Sequence, residues 1–174
     1  PYVAYTDWSS GMNGRVSLKK YDGSNWVQVG SQGFTNPSAV FMRFTIGGDG
    51  TPYVAFADQP NGEKGNVMKY NGSNWVYVGP QNFTAAQSFW IDIEENNGEL
   101  FYAHQDVASG SYARLLKFDG TNWVQVGGNV SAGSAYTESL DFSGDTPYMT
   151  FKDVSNGNGA SVYKYDIPYQ QALI

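Results

Sequence analysis

One eleven-residue phrase occurs three times in this chain, and it constrains the fold more than any other feature. The copies are KYDGSNWVQVG at 20–30, KYNGSNWVYVG at 69–79 and KFDGTNWVQVG at 117–127. The tryptophans of the three copies, Trp26, Trp75 and Trp123, are 49 and 48 residues apart. A repeat of this length that is rich in short strand signals is typical of a β-propeller, in which each repeat forms one blade. We expect these tryptophans to fill the wedge between neighbouring blades.

A second phrase supports the same period and ends each time in an aspartate. It reads PYVAYTD at 1–7, PYVAFAD at 52–58, LFYAHQD at 100–106 and PYMTFKD at 147–153. The four aspartates, at the end of a predicted strand and just before a loop, are Asp7, Asp58, Asp106 and Asp153. A carboxylate at such a position can accept backbone N–H groups of the following turn, so we interpret these residues as structural.

Within one repeat the pattern predicts four short antiparallel strands. They are 39–46, 52–58, 65–70 and 75–78, and Asn71-Gly72 is a strong hairpin signal between the last two. We therefore predict an all-β fold, a β-propeller built of four-stranded antiparallel blades, with about three and a half blades in this chain. The whole chain, 1–174, is predicted to be one propeller segment with a partial blade at 1–30, blades at 31–79 and 80–127, and a partial blade at 128–174.

The incomplete blades carry a further expectation. Strands corresponding to the first strand of the first blade and the last strand of the fourth are not recognisable, because IPYQQALI stands where the tryptophan phrase would recur. Open blade faces would leave apolar surface in water. We therefore expect a piece of a longer propeller, or self-association through the incomplete blades.

The charge balance excludes several classes of partner. With 10 Lys and Arg against 16 Asp and Glu, the net charge is −6, which leaves no basic stripe for nucleic acid. No apolar run of 18 residues is present, so we expect no membrane insertion. The chain has no cysteine and no calcium-loop motif, so we expect neither a metal nor a cofactor.

The phrases TPYVAFAD and VMKYNGSNWVYVG resemble the repeats of secreted or surface-attached bacterial β-propeller proteins, which are loosely allied to kelch-type and Asp-box propellers. The resemblance covers residues 1 to 166 and implies an extracellular or cell-surface location. It departs from the Asp-box because Asp22 and Trp26 are four residues apart where that motif has five, and because Asn71 replaces the aspartate in the middle copy. The double glycine of kelch repeats does not recur in register either. Such repeats carry the scaffold, so the resemblance implies a fold and no site.

Residues that break the repeat are the candidates for ligand binding. Trp8 has no tryptophan counterpart in the other copies, and the loops expected on the same face carry amide and aromatic side chains. An aromatic ring among such groups suits a sugar, whose C–H face stacks while its hydroxyls form hydrogen bonds. The candidate ligand-binding residues are Trp8, Asn13, Gln32, Phe34, Gln81 and Phe83.

The leading hypothesis is therefore a non-catalytic extracellular binding or adhesion module, with a glycan or a protein as the ligand of this loop face. The alternative is a structural spacer or assembly repeat of a larger surface protein. A propeller glycosidase comes third: its carboxylates would be Asp92, Glu94, Glu138 and Asp141 on the inner strands. Because these residues do not occur at corresponding positions with a supporting cluster, the sequence-based expectation is that the chain is not an enzyme. The single histidine, His104, stands where the other copies have Tyr5, Phe56 and Phe151, so we interpret it as a packed ring.

Overall fold

A computed structural model describes residues 1–35 and 38–165, and in these residues the chain forms four separate antiparallel sheets. The first sheet contains β1 (Tyr2–Asp7), β2 (Arg15–Tyr21) and β3 (Trp26–Gln28). The second contains β4 (Ala39–Ile46), β5 (Pro52–Asp58), β6 (Lys64–Tyr70) and β7 (Trp75–Tyr77). The third contains β8 (Ser88–Asn96), β9 (Glu99–Asp106), β10 (Tyr112–Phe118) and β11 (Trp123–Gln125). The fourth contains β12 (Ala135–Ser143), β13 (Thr146–Asp153) and β14 (Gly159–Lys164).

The only helical segments among the described residues are two 3₁₀ turns, Gln59–Asn61 and Val107–Ser109. Each sheet is a meander in which strands adjacent in sequence are also adjacent in space. The all-β class and the four-stranded antiparallel blade are confirmed, and sheets of three, four, four and three strands agree with about three and a half blades. The segment IPYQQALI, residues 167–174, lies outside the described residues.

The sheets pack face to face, and a separate apolar core fills each interface. Leu18 of the first sheet packs with Val54 and Phe56 of the second. Val67 of the second packs with Ile91 and Ile93 of the third. A third cluster joins the last two sheets and contains Phe101, Ala103, Leu115, Leu140, Met149 and Phe151. Among the described residues, the second and third sheets therefore pack against a neighbour on both faces, and the first and fourth sheets pack against a neighbour on one face.

The innermost strands β4, β8 and β12 share an irregularity that positions their side chains. Each has a register shift against its neighbour, and each contains one non-glycine residue with a positive φ at the shift: Phe41 at 52°, Trp90 at 49° and Thr137 at 58°. A β-bulge of this kind bends the strand and re-aims the residues that follow it. The second residue of each bulge therefore occupies a corresponding position in three blades: these residues are Met42, Ile91 and Glu138.

A repeated hydroxyl group accepts a hydrogen bond in each connection between blades. It was not among the residues predicted from the sequence. The hydroxyls of Thr35, Thr84 and Ser131 accept hydrogen bonds of 2.9 Å from the backbone N–H groups of Val16, Gly65 and Ala113 respectively. All three hydroxyl residues are buried. Their spacing of 49 and 47 residues matches the period of the tryptophans, so the signal was present in the sequence.

Candidate functional site

The inner strands of the third and fourth sheets carry four carboxyl groups, which we call the inner acidic cluster. Asp92 and Glu94 lie on β8, and Glu138 and Asp141 lie on β12. These two strands pack against each other across the interface of the two sheets. Asp92 is the first paired residue after the bulge of β8, and Glu138 is the second residue of the bulge of β12.

Asp92 connects the two inner strands directly. Its Oδ2 accepts a 2.8 Å hydrogen bond from the backbone N–H of Leu140 on β12, and its Oδ1 accepts a 3.0 Å bond from the N–H of Ile93. Both carboxylate oxygens thus accept hydrogen bonds from backbone N–H groups. Unlike side-chain donors, these groups lose no rotamer freedom when the hydrogen bond forms. The corresponding residues of the other inner strands are Arg43 and Ser139, so this link occurs once in the described chain.

Glu138 is a buried carboxyl at an apolar position. The other two copies place Met42 and Ile91 here, yet Glu138 is only 4% exposed. Neither of its carboxyl oxygens has a hydrogen-bond partner among the described residues. Burial disfavours the charged form and raises the pKa of Glu138 to about 8. At neutral pH this side chain is therefore predominantly the protonated acid.

The remaining two carboxyls complete the cluster nearer to solvent. Glu94 accepts a 3.0 Å hydrogen bond from the Thr45 hydroxyl on β4, across the interface of the second and third sheets. Burial raises the pKa of Glu94, the hydrogen bond from Thr45 lowers it, and the charges of Asp92 and Asp141 raise it further. Asp141 is exposed and accepts the N–H of Phe142 at 2.7 Å.

The cluster thus combines a protonated buried carboxyl with a second carboxyl pinned from the neighbouring strand. A carboxyl that burial keeps protonated, together with a second carboxyl on the neighbouring strand, is an arrangement from which acid–base chemistry can be built. Among residues 1–35 and 38–165, no group of histidine, cysteine and carboxylate side chains could hold a metal ion. Carboxyl groups placed in this way can transfer protons or act as nucleophiles.

The ligand-binding residues predicted on the first sheet lie near one another. Trp8 is 70% exposed, and its ring covers Gly14, where an added Cβ would clash with it. Asn13 is exposed, with a positive φ of 52°. Gln32 donates a 2.6 Å hydrogen bond to Oδ2 of Asp7, which holds its side chain on the turn that carries Trp8.

The two predicted phenylalanines pack between blades. Phe34 stacks on Trp75 with ring centroids 3.8 Å apart, and Phe83 stacks on Trp123 at 5.1 Å. Each therefore belongs to a different inter-blade contact. Gln81 is exposed in the segment before Phe83. The six residues do not form one compact group, because Phe34 and Phe83 are directed into packing.

The repeated aspartates lie at the starts of the loops. Asp7, Asp106 and Asp153 each accept a backbone N–H two residues on, from Ser9 at 2.9 Å, Ala108 at 3.0 Å and Ser155 at 2.9 Å. Asp58 differs, since its Oδ2 accepts from the Asn61 side chain at 2.7 Å and its Oδ1 has no partner among the described residues.

His104 is buried in a chain of polar contacts within the third sheet. Its Nδ1 lies 2.9 Å from the hydroxyl of Ser88, which in turn lies 2.7 Å from the hydroxyl of Tyr102. Burial lowers the pKa of His104 to about 4; Asp106 acts in the opposite direction and Arg114 adds to the lowering. The imidazole is therefore neutral at pH 7.

No helix in the described part of the chain is long and apolar enough to cross a membrane.

Comparison with known proteins gives structural matches only. No protein-family model and no curated protein sequence matches the chain. Among solved structures, it is similar to "Bacteroides ovatus Xyloglucan PUL GH43B", with a TM-score of 0.52, 17% identity and coverage of 88% of this chain and 34% of that one. It is also similar to a thermostable family-43 glycoside hydrolase, with a TM-score of 0.50, 12% identity and coverage of 88% of this chain and 64% of that one. The chain thus spans about a third and somewhat under two thirds of the length of these proteins, and the matches show a propeller fold.

These matches correct two sequence-based expectations. The leading hypothesis of a non-catalytic binding module, and the expectation that the chain is not an enzyme, conflict with a fold whose matched examples are glycoside hydrolases. The error has a physical cause. A reaction centre is formed once in a propeller, so its carboxyls can lie on single strands. The sequence-based expectation wrongly assumed that such carboxyls would recur at corresponding positions of the blades. The kelch-type and Asp-box character of the repeats has no support in the comparisons beyond the propeller fold.

Proposed function

We propose that the chain forms part of a propeller glycoside hydrolase, with the inner acidic cluster as its catalytic group. The fold similarity is a likeness of fold alone, so the proposal depends on the residues. Glycoside hydrolysis commonly requires one carboxylic acid to protonate the leaving oxygen and a second carboxylate to act as base or nucleophile. The inner strands of this chain hold carboxyls suited to both roles.

The observation that carries the proposal is the state of Glu138. A buried glutamate without a hydrogen-bond partner is costly to the fold, and the other blades avoid that cost with Met42 and Ile91. A buried carboxyl of this kind is frequent at catalytic sites where the group must stay protonated near pH 7. We assign Glu138 as the general acid.

Asp92 is assigned as the opposing carboxylate. Its hydrogen bond to the N–H of Leu140 brings it to the strand that bears Glu138, two residues along. Two backbone donors hold it in one orientation, which is the preorganisation that a nucleophile or base requires. Glu94 and Asp141, on the same two strands, supply further negative charge that favours an oxocarbenium-like transition state.

Because the chain covers only part of the matched enzymes, other blades of an assembled ring would supply the remaining substrate contacts. The substrate class that we propose is a polysaccharide or oligosaccharide. An extracellular or cell-surface location, which the repeat resemblance implies, fits such a substrate and belongs to the same proposal.

The test is hydrolysis of a panel of 4-nitrophenyl glycosides and plant polysaccharides by the 174-residue chain. We expect activity whose high-pH limb falls near pH 8, as Glu138 loses its proton. Glu138→Gln and Asp92→Asn should each lower kcat by 100-fold or more on the usual scale of about 10²–10⁴ for proton transfer. Asp145→Asn, in the exposed turn between β12 and β13, is the matched control and should not change kcat. Full activity in Glu138→Gln, or no turnover across the panel, would contradict the proposal.

A further inference from the structure

A pocket of about 170 Å³ lies between the third sheet and the connection that enters it from the second sheet. Its apolar wall consists of Phe83, Leu116 and Trp123. The polar side chains that the third sheet contributes to it are those of His104, Asp106, Arg114 and Gln125. None of its lining residues belongs to the inner acidic cluster. We call it the His104 pocket.

The polar residues at this pocket do not follow the repeat. His104 stands where the other sheets have Tyr5, Phe56 and Phe151. Arg114, which pairs with His104 across the sheet, stands where the other sheets have Ser17, Asn66 and Ser161. Ser88 stands where the inner strands β4 and β12 have Ala39 and Ala135. Aromatic and small side chains satisfy the packing in the other sheets, so the fold by itself gives no reason for this polar group.

Hydrogen bonds behind the pocket fix which nitrogen of His104 carries the proton. Burial raises the pKa of Tyr102 well above its ordinary value, so its hydroxyl keeps its proton. Tyr102 is fully buried, and the only hydrogen-bond partner of its hydroxyl among the described residues is Ser88 at 2.7 Å. Tyr102 therefore donates to Ser88, since a buried hydroxyl proton needs an acceptor. The equally buried Ser88 hydroxyl then donates its own proton to Nδ1 of His104 at 2.9 Å.

His104 consequently presents an N–H donor to the pocket. Because burial lowers the pKa of His104 to about 4, the imidazole is neutral at pH 7 and carries one proton. With Nδ1 accepting from Ser88, that proton is on Nε2. Nε2 has no hydrogen-bond partner among the described residues, although the residue is only 2% exposed. A buried donor is costly to leave unpaired, so this position favours a ligand that brings an acceptor.

Arg114 supplies a second donor beside the first. Its Nε lies 3.1 Å from Oδ2 of Asp106, and its Nη1 donates to Gln125 at 2.9 Å. Its Nη2 has no partner in the part of the chain that the structure describes. The carboxylate of Asp106 is already engaged, since its Oδ1 accepts from the N–H of Ala108 at 3.0 Å. The polar capacity that remains at the pocket is therefore that of donors.

We propose that the His104 pocket binds a small carboxylate that bears an apolar ring. One carboxylate oxygen accepts the Nε2–H of His104, and the other accepts from Nη2 of Arg114. The ring lies against the apolar wall at Phe83 and Trp123. This binding site is separate from the proposed hydrolytic centre and does not rest on it.

Size and chemistry both select this ligand class. A dry apolar cavity of about 150 Å³ holds benzene, so the pocket has room for a single ring. A carboxylate brings only acceptors, whereas an amide or an alcohol also brings donors, for which the lining offers engaged acceptors. The guanidinium of Arg114 has five N–H donors in a fork, so it can keep Asp106 and still bind a second carboxylate.

The test uses 4-fluorobenzoate as the probe and the full 174-residue chain at pH 7. Its fluorine NMR signal is followed as the protein concentration is raised. We expect saturable one-to-one binding with a Kd below about 10 mM. The neutral analogue 4-fluorobenzamide should bind at least about tenfold more weakly, because it replaces a charged acceptor with an amide donor.

Protein variants that follow the chain's own repeat separate this pocket from other surfaces. His104→Phe gives the side chain that Phe56 has at this position and removes the Nε2 donor. Arg114→Asn gives that of Asn66 and removes the guanidinium. Each should weaken binding of 4-fluorobenzoate at least about tenfold. Arg43→Asn, which removes an exposed arginine of β4 outside the pocket, is the matched control and should leave the affinity unchanged.

Circular dichroism shows which variants fold, and either folded pocket variant is sufficient for the comparison. The proposal is overturned if 4-fluorobenzoate does not approach saturation at about 10 mM. Equal affinities for the benzoate and the benzamide would also overturn it, as would a folded His104→Phe or Arg114→Asn that binds as tightly as the unmodified chain. A loss in Arg43→Asn as large as that in the pocket variants would place the binding elsewhere and overturn it too.

Discussion

The indole Nε1 of Trp123 donates a 2.9 Å hydrogen bond to the backbone carbonyl of Val78, and this bond joins the third sheet to the end of the second. The same relationship links Trp75 to Val29. The repeated tryptophan is therefore both an apolar filler and a directional link, because its N–H is satisfied by the preceding blade and its ring covers a glycine of that blade. This double role explains why the tryptophan recurs with the blade period.

The first prediction concerns Trp75. Trp75 is 8% exposed, so Trp75→Ala leaves a cavity and an unpaired carbonyl at Val29. We expect the free energy of unfolding to fall by about 3 to 5 kcal/mol. Urea denaturation followed by circular dichroism measures it.

Trp26 is the matched control, since it occupies the same position of the repeat but is 49% exposed. Trp26→Ala should cost about 1 kcal/mol or less. Equal losses for the two variants would show that exposure does not govern the contribution of the repeated tryptophan.

The second prediction concerns the pH dependence of stability set by Glu138. Its folded pKa of about 8 lies above its ordinary value of 4.5, so the folded state holds a proton that the unfolded state releases. Stability must then fall as pH rises between these two values. The contribution of Glu138 to the slope should approach about −1.4 kcal/mol per pH unit between pH 6 and 7 and fall to about half of that at pH 8. Glu138→Gln cannot titrate and should flatten the curve there; a variant that kept the full slope would disprove this assignment.

The third prediction concerns His104, whose effect has the opposite sign. Its folded pKa of about 4 lies below the ordinary 6.5, so the unfolded state binds the extra proton and stability is lost as pH falls from 6.5 towards 4. His104→Phe should remove this loss and change stability at pH 7 by about 1 kcal/mol or less, because Ser88 keeps its contact with Tyr102. The measurement is best made in the Glu138→Gln background, where the opposing slope is absent. An unchanged acid limb would contradict it.

The fourth prediction concerns self-association. The first sheet leaves Val3, Tyr21 and Trp26 exposed by 40%, 39% and 49%, and the fourth sheet leaves Val162 and Tyr163 exposed by 66% and 40%. Apolar exposure of this kind favours association. Light scattering at micromolar concentration should show more than a monomer. Val3→Lys should shift the population to monomer, and Thr121→Lys, in the exposed turn between β10 and β11, should not. A monomeric unmodified chain would refute the prediction.

The strand pattern was accessible from the sequence because it depends on local signals. Asn71-Gly72 turns, alternating strands and the spacing of Trp26, Trp75 and Trp123 each act within one blade, and together they were enough to predict the all-β propeller class. The hydroxyls of Thr35 and Thr84 have the same periodicity and could have been found in the same way. The inner acidic cluster was also visible as residue types, but it was ranked last because it does not repeat.

The burial and the hydrogen bonding of each repeated residue were decided by the tertiary structure alone. Trp26 and Trp75 stand in nearly identical sequences, yet one is half exposed and the other is buried, because burial requires a neighbouring sheet and only Trp75 has one. Glu138 reads in sequence as an ordinary acidic residue of a strand, and its raised pKa comes from the bulge at Thr137 and from the apolar interface into which the strand packs. Short-range backbone preferences determine strands and turns, whereas desolvation and hydrogen bonding between blades depend on distant residues brought together by folding, which no local pattern encodes.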